Sequence, residues 1–580
     1  MSVPLHEGLA RLGVRRMLLA IHDVSFPSDP DEDLGRGSPA TRAAGRLFDF
    51  ARRLGFTGIQ LGPQGQTARA NPSPYDGTIF SRNLGNISVA SLRAGGAFEG
   101  LVDEATISRA LYAGGGRADL EHAYDATHEL VDHAYEALER GARPDLRARV
   151  DAFRRDNASW LDADGLHAAI GEVSGGAGFR HWPRSERELW LDGDSALRTQ
   201  LVTRHARAID LYALGQLLVH EEHARVRERA AGLLLYGDLQ VGYADSDAWR
   251  HAGAFLRGYL MGAPPSRTNP DGQPWGYPVL DPAQYGGAAR DLVLARADKA
   301  FTEYDSLRID HPHGLVCPWV YRSDTGDAAQ AVRDGARLFE SPDLADHPAL
   351  AAFAIARPDQ LRRDHARYAD DWVHDLDAGQ IDRYATLVDL IIHAAEKRGR
   401  SRTDLSCEVL STMPTPLASI LARHGLGRWR VTQKADMDDA RDVYRTENAV
   451  REDWVMLGNH DTPPILSVIR GWSVAHREKW ERHLTSRLRL AQPERLASDG
   501  FLATAMLAEL FACRAENVSI FFADLFGFDE RFNVPGLVDR TNWTLRLPPD
   551  FDQLHADRVA RESALDLPLA VDLALAATGP

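Results

Sequence analysis

Three short acidic segments occur in fixed order along the chain: Leu307-Arg308-Ile309-Asp310-His311, Ser406-Cys407-Glu408 and Asn459-His460-Asp461-Thr462. Each places one carboxylate at the end of an apolar, strand-like run. A glycosidic bond is broken with retention when one carboxylate attacks the anomeric carbon and a second, about 5–5.5 Å away, protonates the leaving oxygen. In the first segment the period of two puts Leu307 and Ile309 on one face and Arg308 and Asp310 on the other. Arg308 would keep Asp310 ionised, as a nucleophile requires. Glu408 is flanked by Cys407, Val409 and Leu410, a less polar setting of the kind that raises a carboxyl pKa towards that of a proton donor. Asp461 would complete the site, holding ring hydroxyls and helping to distort the sugar towards an oxocarbenium-like state. Taken singly, an Asp after a strand is more often a helix cap or a structural salt-bridge partner. Three in sequence on candidate strands point to retaining glycoside chemistry.

Such residues need a scaffold that brings strand ends together. Short runs rich in Leu, Ile and Val alternate with amphipathic helical stretches, the pattern of parallel strands joined by crossover helices. Candidate strands lie at 17–21, 57–61, 233–238, 304–309, 404–408, 428–432, 454–457 and 518–522. Eight such strands predict an α/β fold, a (β/α)8 TIM barrel, as one catalytic domain over 1–580. Uneven spacing marks the insertions: a helical one within 90–230, a substrate-cleft loop region at 245–300 and a further insertion at 314–402. Consecutive charged amphipathic helices are expected from about 121 to 169, and another helix over 381–397. The stretch 263–282 is rich in Pro and Gly and reads as an ordered loop. In such barrels catalytic groups sit at the C-terminal face, so long loops over that face should bind substrate.

Composition narrows the partners. Hydrophobic residues make up 44% of the 580 positions, enough for a large core, and 67 Lys and Arg against 83 Asp and Glu leave a net charge of -16. No basic stripe with interleaved aromatics is present, which argues against nucleic acid. Cys317, Cys407 and Cys513 have neither the number nor the spacing of a disulfide framework or a Cys-based zinc site. The N-terminal residues lack a basic start followed by an apolar stretch, and the apolar runs at 17–21 and 387–393 are too short to cross a bilayer. A cytoplasmic protein with no membrane partner is expected; the oligomeric state is not legible.

The wider sequence resembles the amylomaltase family, the bacterial 4-alpha-glucanotransferases also called disproportionating enzymes. The match begins at Gln60-Leu61-Gly62-Pro63 and runs through Ser73-Pro74-Tyr75, Phe80-Ser81 and Asn86. It resumes at Gly237-Asp238-Leu239, Ser246-Asp247, Trp249, Gly262-Ala263-Pro264-Pro265, Gly272-Gln273, Trp275-Gly276 and Pro278. After the acidic segments it ends in Asn533-Val534-Pro535-Gly536 and Asn542-Trp543 with Arg546. The resemblance implies a retaining barrel enzyme that cleaves an α-1,4-glucan and passes the segment to the 4-hydroxyl of another sugar. Maltooligosaccharides and starch- or glycogen-type glucans are the implied partners, and neither cofactor nor metal is implied. Asp310 would be the nucleophile, Glu408 the general acid/base and Asp461 the stabiliser. Ser73, Tyr75, Asp238, Trp275, Arg308, His460 and Asn533 match substrate-binding positions. Tyr75 and Trp275 also offer flat apolar faces on which a pyranose ring can stack, or either could simply be core, and Asp238 could instead orient Arg308.

The chain departs from the family pattern in places. Pro312 and His313 replace an aromatic and an Arg, Val409 an Asp after the acid/base, Ser266 an Asp in the proline loop and Leu537 a Thr. Two other readings carry specific expectations. Asp310-His311-Pro312-His313 with His460-Asp461 could hold a catalytic metal through a His-x-His pair, and a barrel drifted at secondary positions could bind glucan without catalysis. A hydrolase using the same carboxylates is a third.

Overall fold

The computed structural model describes residues 4–191, 193, 195–266, 269–537 and 539–579. Its strands are β1 (Arg16–Ile21), β2 (Gly58–Leu61), β3 (Leu234–Leu239), β4 (Phe255–Ala263), β5 (Gln273–Leu280) and β6 (Ser306–Ile309), then β7 (Trp319–Arg322), β8 (Ala336–Arg337), β9 (Ser406–Cys407), β10 (Trp429–Val431), β11 (Trp454–Met456) and β12 (Asn517–Phe521). Eight of them form one parallel sheet in the order β10-β11-β12-β1-β2-β3-β6-β9. The two ends meet where Trp429 N–H donates to the Val409 carbonyl (3.1 Å) and Trp429 Nε1 donates to Ser406 Oγ (2.7 Å). The sheet therefore curls into the expected (β/α)8 barrel.

Local sequence explains these elements. Met17, Leu18, Leu19 and Ile21 of β1 are all buried, as a parallel strand covered on both faces demands. The helix Arg42–Arg53 starts where the Thr41 side chain accepts from Ala44 N–H and buries Ala43, Ala44, Leu47, Phe48, Phe50 and Ala51 on one stripe. The helix Asp499–Phe511 is buried almost all round, because it lies between the barrel and the C-terminal helix Leu567–Thr578. The β10 to β11 connection departs from the regular alternation: 3-10 turns at Thr432–Lys434 and Thr446–Asn448 take the place of a crossover α-helix.

The long connections carry further elements. Between β2 and β3 run the helices Leu120–Glu139, Pro144–Asp156, Leu161–Val173, Ser195–Arg204 and Ala206–Arg229. The Pro- and Gly-rich stretch expected as a loop instead contributes an antiparallel hairpin, β4 to β5, to a second sheet of order β5-β4-β7-β8. Pro274 and Pro278 are tolerated because β5 is the edge strand, and Gly258 and Gly276 take positive φ where the strands are irregular. This sheet joins segments on both sides of β6, so the chain before and after Asp310 builds one unit over the barrel mouth. Among the described residues no helix is long and apolar enough to cross a membrane.

Candidate active site

Strand ends position the central carboxylates. Asp310 N–H donates to the Leu239 carbonyl and Glu408 N–H to the Ile309 carbonyl, each at 3.0 Å, so both side chains emerge just past neighbouring strands. Arg308 faces the barrel interior, in register with Asp238 on β3 and Ser406 on β9. Its side chain is 0% exposed. Nη1 donates to Asp238 Oδ2 (2.6 Å) and to the Tyr75 hydroxyl (3.0 Å), while Nη2 donates to Glu408 Oε2 (2.5 Å) and lies 3.0 Å from Asp310 Oδ1. The guanidinium also sits over the rings of Trp429 (5.1 Å) and Tyr75 (5.5 Å). Asp238 and Arg308, expected among the substrate contacts, are buried against the carboxylate pair, Asp238 bonded to Arg308 and Arg308 to both carboxyls.

Oxygens of Asp310 and Glu408 lie within 4.8 Å of each other and share Arg308 Nη2, so the two carboxyls are near enough to work as a retaining pair. One guanidinium cannot keep three buried carboxyls ionised, and the environments separate them. Burial alone would raise the Asp310 pKa, but Arg308 and His311 outweigh it and hold this carboxylate far below its usual range; Val241 N–H adds a donor to Oδ2 at 3.1 Å. Burial pushes Glu408 up to about 8 against the pull of Arg308 and His311, with the Asp310 charge and a hydrogen bond to it acting in the same direction as burial. Burial likewise takes Asp238 to about 7 despite Arg308. Near neutral pH the pair therefore comprises a charged carboxylate and a protonated one. Val409 is fully buried, so its substitution for an acidic residue leaves packing, not a second charge, beside Glu408.

Asp461 stands apart, with its side chain 32% exposed. Asn533 Nδ2 donates to its Oδ1 at 2.7 Å, and His460 Nε2 lies 3.6 Å from the same oxygen. His460 Nε2 also meets the Tyr75 hydroxyl at 3.0 Å, and the two rings stack at 5.3 Å. The loop that carries both residues is pinned by Asp524, which accepts from Ile465 N–H (2.7 Å) and from Gly458 N–H. Gly458 is required there, since a Cβ would approach Thr462 Oγ1 to 2.6 Å.

The Pro- and Gly-rich segment reaches the carboxylate pair: Trp275 on β5 packs its ring edge-on against His311, centroids 5.2 Å apart. Ser73 opens the turn Pro74–Asp76 that presents Tyr75, and it does so through its backbone, its N–H donating to Asn71 Oδ1 and its carbonyl accepting from Asp76 N–H. The His-x-His pair does not converge. His313 Nε2 is bonded to the Thr412 carbonyl at 3.0 Å and its ring lies 6.3 Å from that of His311. The counter-charge between Asp310 and Glu408 is instead the Arg308 guanidinium.

Sequence reasoning missed two aromatic groups. His22, just past β1, is buried with its ring centroid 5.2 Å from that of His460 and 5.6 Å from that of Trp543, and neither ring nitrogen has a hydrogen-bond partner among the described residues. Trp543 adopts a left-handed φ of 62° that places its ring 5.8 Å from Tyr75. The signals were the strand-end position of His22 and the Asn542-Trp543 pair; neither carries a charge that would mark it as chemical.

The family model described as 4-alpha-glucanotransferase matches residues 21–552. A chloroplastic/amyloplastic 4-alpha-glucanotransferase of Solanum tuberosum is 26% identical over 331 residues, 53% of this chain and 54% of that protein. The Thermus thermophilus 4-alpha-glucanotransferase is 25% identical over 294 residues, 48% of this chain and 55% of that protein. The aligned stretches thus span about half the length of these curated relatives. In fold the chain is similar to amylomaltase from Streptococcus agalactiae in complex with acarbose, with a TM-score of 0.74 and 18% identity over 97% of this chain and 99% of that one. With the family model covering nine-tenths of its length, the three carboxylates included, this chain belongs to the 4-alpha-glucanotransferase family.

Proposed function

We propose that the protein is a 4-alpha-glucanotransferase acting on maltooligosaccharides and starch- or glycogen-type α-1,4-glucans. The observation that carries this reading is the pair of buried carboxyls, Asp310 and Glu408, at neighbouring strand ends, their oxygens within 4.8 Å and both on the Arg308 guanidinium. Asp310 attacks the anomeric carbon while Glu408 gives its proton to the glycosidic oxygen, so the reducing-end fragment leaves and a glycosyl ester forms on Asp310. Glu408, now a carboxylate, takes the proton of an acceptor 4-hydroxyl, whose oxygen displaces Asp310. Two inversions give net retention.

Asp461 is open to the cleft and held by Asn533, a position suited to ring hydroxyls as positive charge develops on the sugar. His460 and Tyr75 form the adjacent wall. Trp275 on the overhanging hairpin supplies an apolar face for a sugar, which favours an acceptor glucan over water at the ester. Three free cysteines agree with a reducing, cytoplasmic setting.

Incubation with maltotriose tests the proposal: glucose and maltodextrins longer than three units should accumulate together. Shorter sugars alone would make the protein a hydrolase, and unchanged maltotriose would make it a binding protein.

A further inference from the structure

His311 has a geometry that the two-carboxylate scheme leaves unused. Its Nδ1 lies 3.0 Å from Asp310 Oδ1 and 3.3 Å from Glu408 Oε2, so one ring nitrogen spans both carboxyl groups. The backbone is held at a left-handed φ of 40°, a conformation that costs a non-Gly residue energy and persists where the surroundings enforce it. The other side of the ring meets Trp275 at 5.2 Å, nearly perpendicular. Its side chain is still 36% exposed, so it closes the mouth of the pair while remaining reachable from the cleft.

We infer that His311 is a positioning residue: its ring bridges Asp310 and Glu408 in the reactive arrangement, and Trp275 of the overhanging hairpin sets how firmly that bridge is held. The inference rests on the retaining reading of the site. Charged and titratable groups face this cluster from several elements. Arg308 and Asp238 lie below, Tyr75 and His460 on one wall and His313 beyond, while Lys434 reaches Glu408 and Asp461 only at longer range. Among the described residues, Arg308 and His311 are the two whose nitrogens lie within 3.3 Å of both carboxyl groups. Partial desolvation opposes charge on the ring, but Asp310 and Glu408 prevail and raise it to about 9. The imidazolium in turn holds down the Glu408 pKa.

The pH profile of kcat/KM for glucose release from maltotriose reads this role, because that release reports glycosyl-enzyme formation whether sugar or water follows. In His311→Phe and His311→Gln the alkaline limb should move up by about one unit as the neighbouring cation is removed, with kcat reduced at least tenfold. A ring that only packs would lower turnover and leave the limb in place in both variants, which would overturn the inference. Trp275→Ala should move the limb in the same direction by a smaller amount; a rise in KM alone would remove Trp275 from the device. Independently of turnover, the His311 ring resonance should titrate near 9 in the wild type and lower in Asp310→Asn. An ordinary imidazole midpoint in both proteins would refute the bridge even if transfer is demonstrated, whereas absent transfer with a raised midpoint would refute the functional reading alone.

Discussion

Single side chains at the strand ends divide the labour through their surroundings. Asp310→Asn removes the nucleophile and should lower turnover of maltotriose by about a thousandfold or more; substantial residual rate would refute its assignment. Glu408→Gln should cost roughly 10²- to 10⁴-fold on the same donor. With α-maltosyl fluoride, whose fluoride departs without a proton, the first step of this variant should recover, and no recovery would mean that Glu408 serves the fold. The pKa directions fix the pH dependence. Because Glu408 must be protonated to act and is raised to about 8, kcat/KM should be flat near neutrality and fall as pH rises through about 8. Asp310 stays ionised far into the acid range, so it should produce no acidic limb above pH 5. A fall in kcat/KM centred near 4 would contradict that arrangement.

The loops following the barrel strands convert these side chains into a cleft. The segment 458–465 presents His460 and Asp461 because Asp524, on the short helix Phe522–Leu525, accepts two of its backbone N–H groups. In Asp524→Ala those buried donors lose their partner, at about 1–3 kcal/mol each. The expected outcome is a lower Tm by calorimetry together with a fall in kcat, since Asp461 loses its fixed orientation; an unchanged Tm would show that the loop is held by other contacts. The hairpin β4 to β5 illustrates how sequence patterning misleads at such places. Pro274, Gly276 and Pro278 read as loop, yet an edge strand needs hydrogen bonds on one side only and admits them.

The assembled barrel works through charge neutralisation and packing. Exhaustive dialysis against a chelator should leave glucose release from maltotriose unchanged, because Arg308 already fills the cationic position between Asp310 and Glu408; restoration of a lost rate by a divalent ion would reverse that assignment. The Tm should likewise be indifferent to dithiothreitol, the three cysteines being free. Much of this was legible beforehand. The eight barrel strands, the three carboxylates and their order follow from apolar runs and their period, which are local properties, and the resemblance to amylomaltases supplied the roles. Local patterns carry no information about which distant groups share a volume. The close approach of Asp310 and Glu408, the burial of Arg308 and Asp238 beneath them, the bridging ring of His311 and the presence of His22 and Trp543 beside Tyr75 all arise from strand order and loop packing. Protonation was decided at the same level. A carboxyl group's pKa depends on desolvation and neighbouring charge, and both exist only once the barrel has closed.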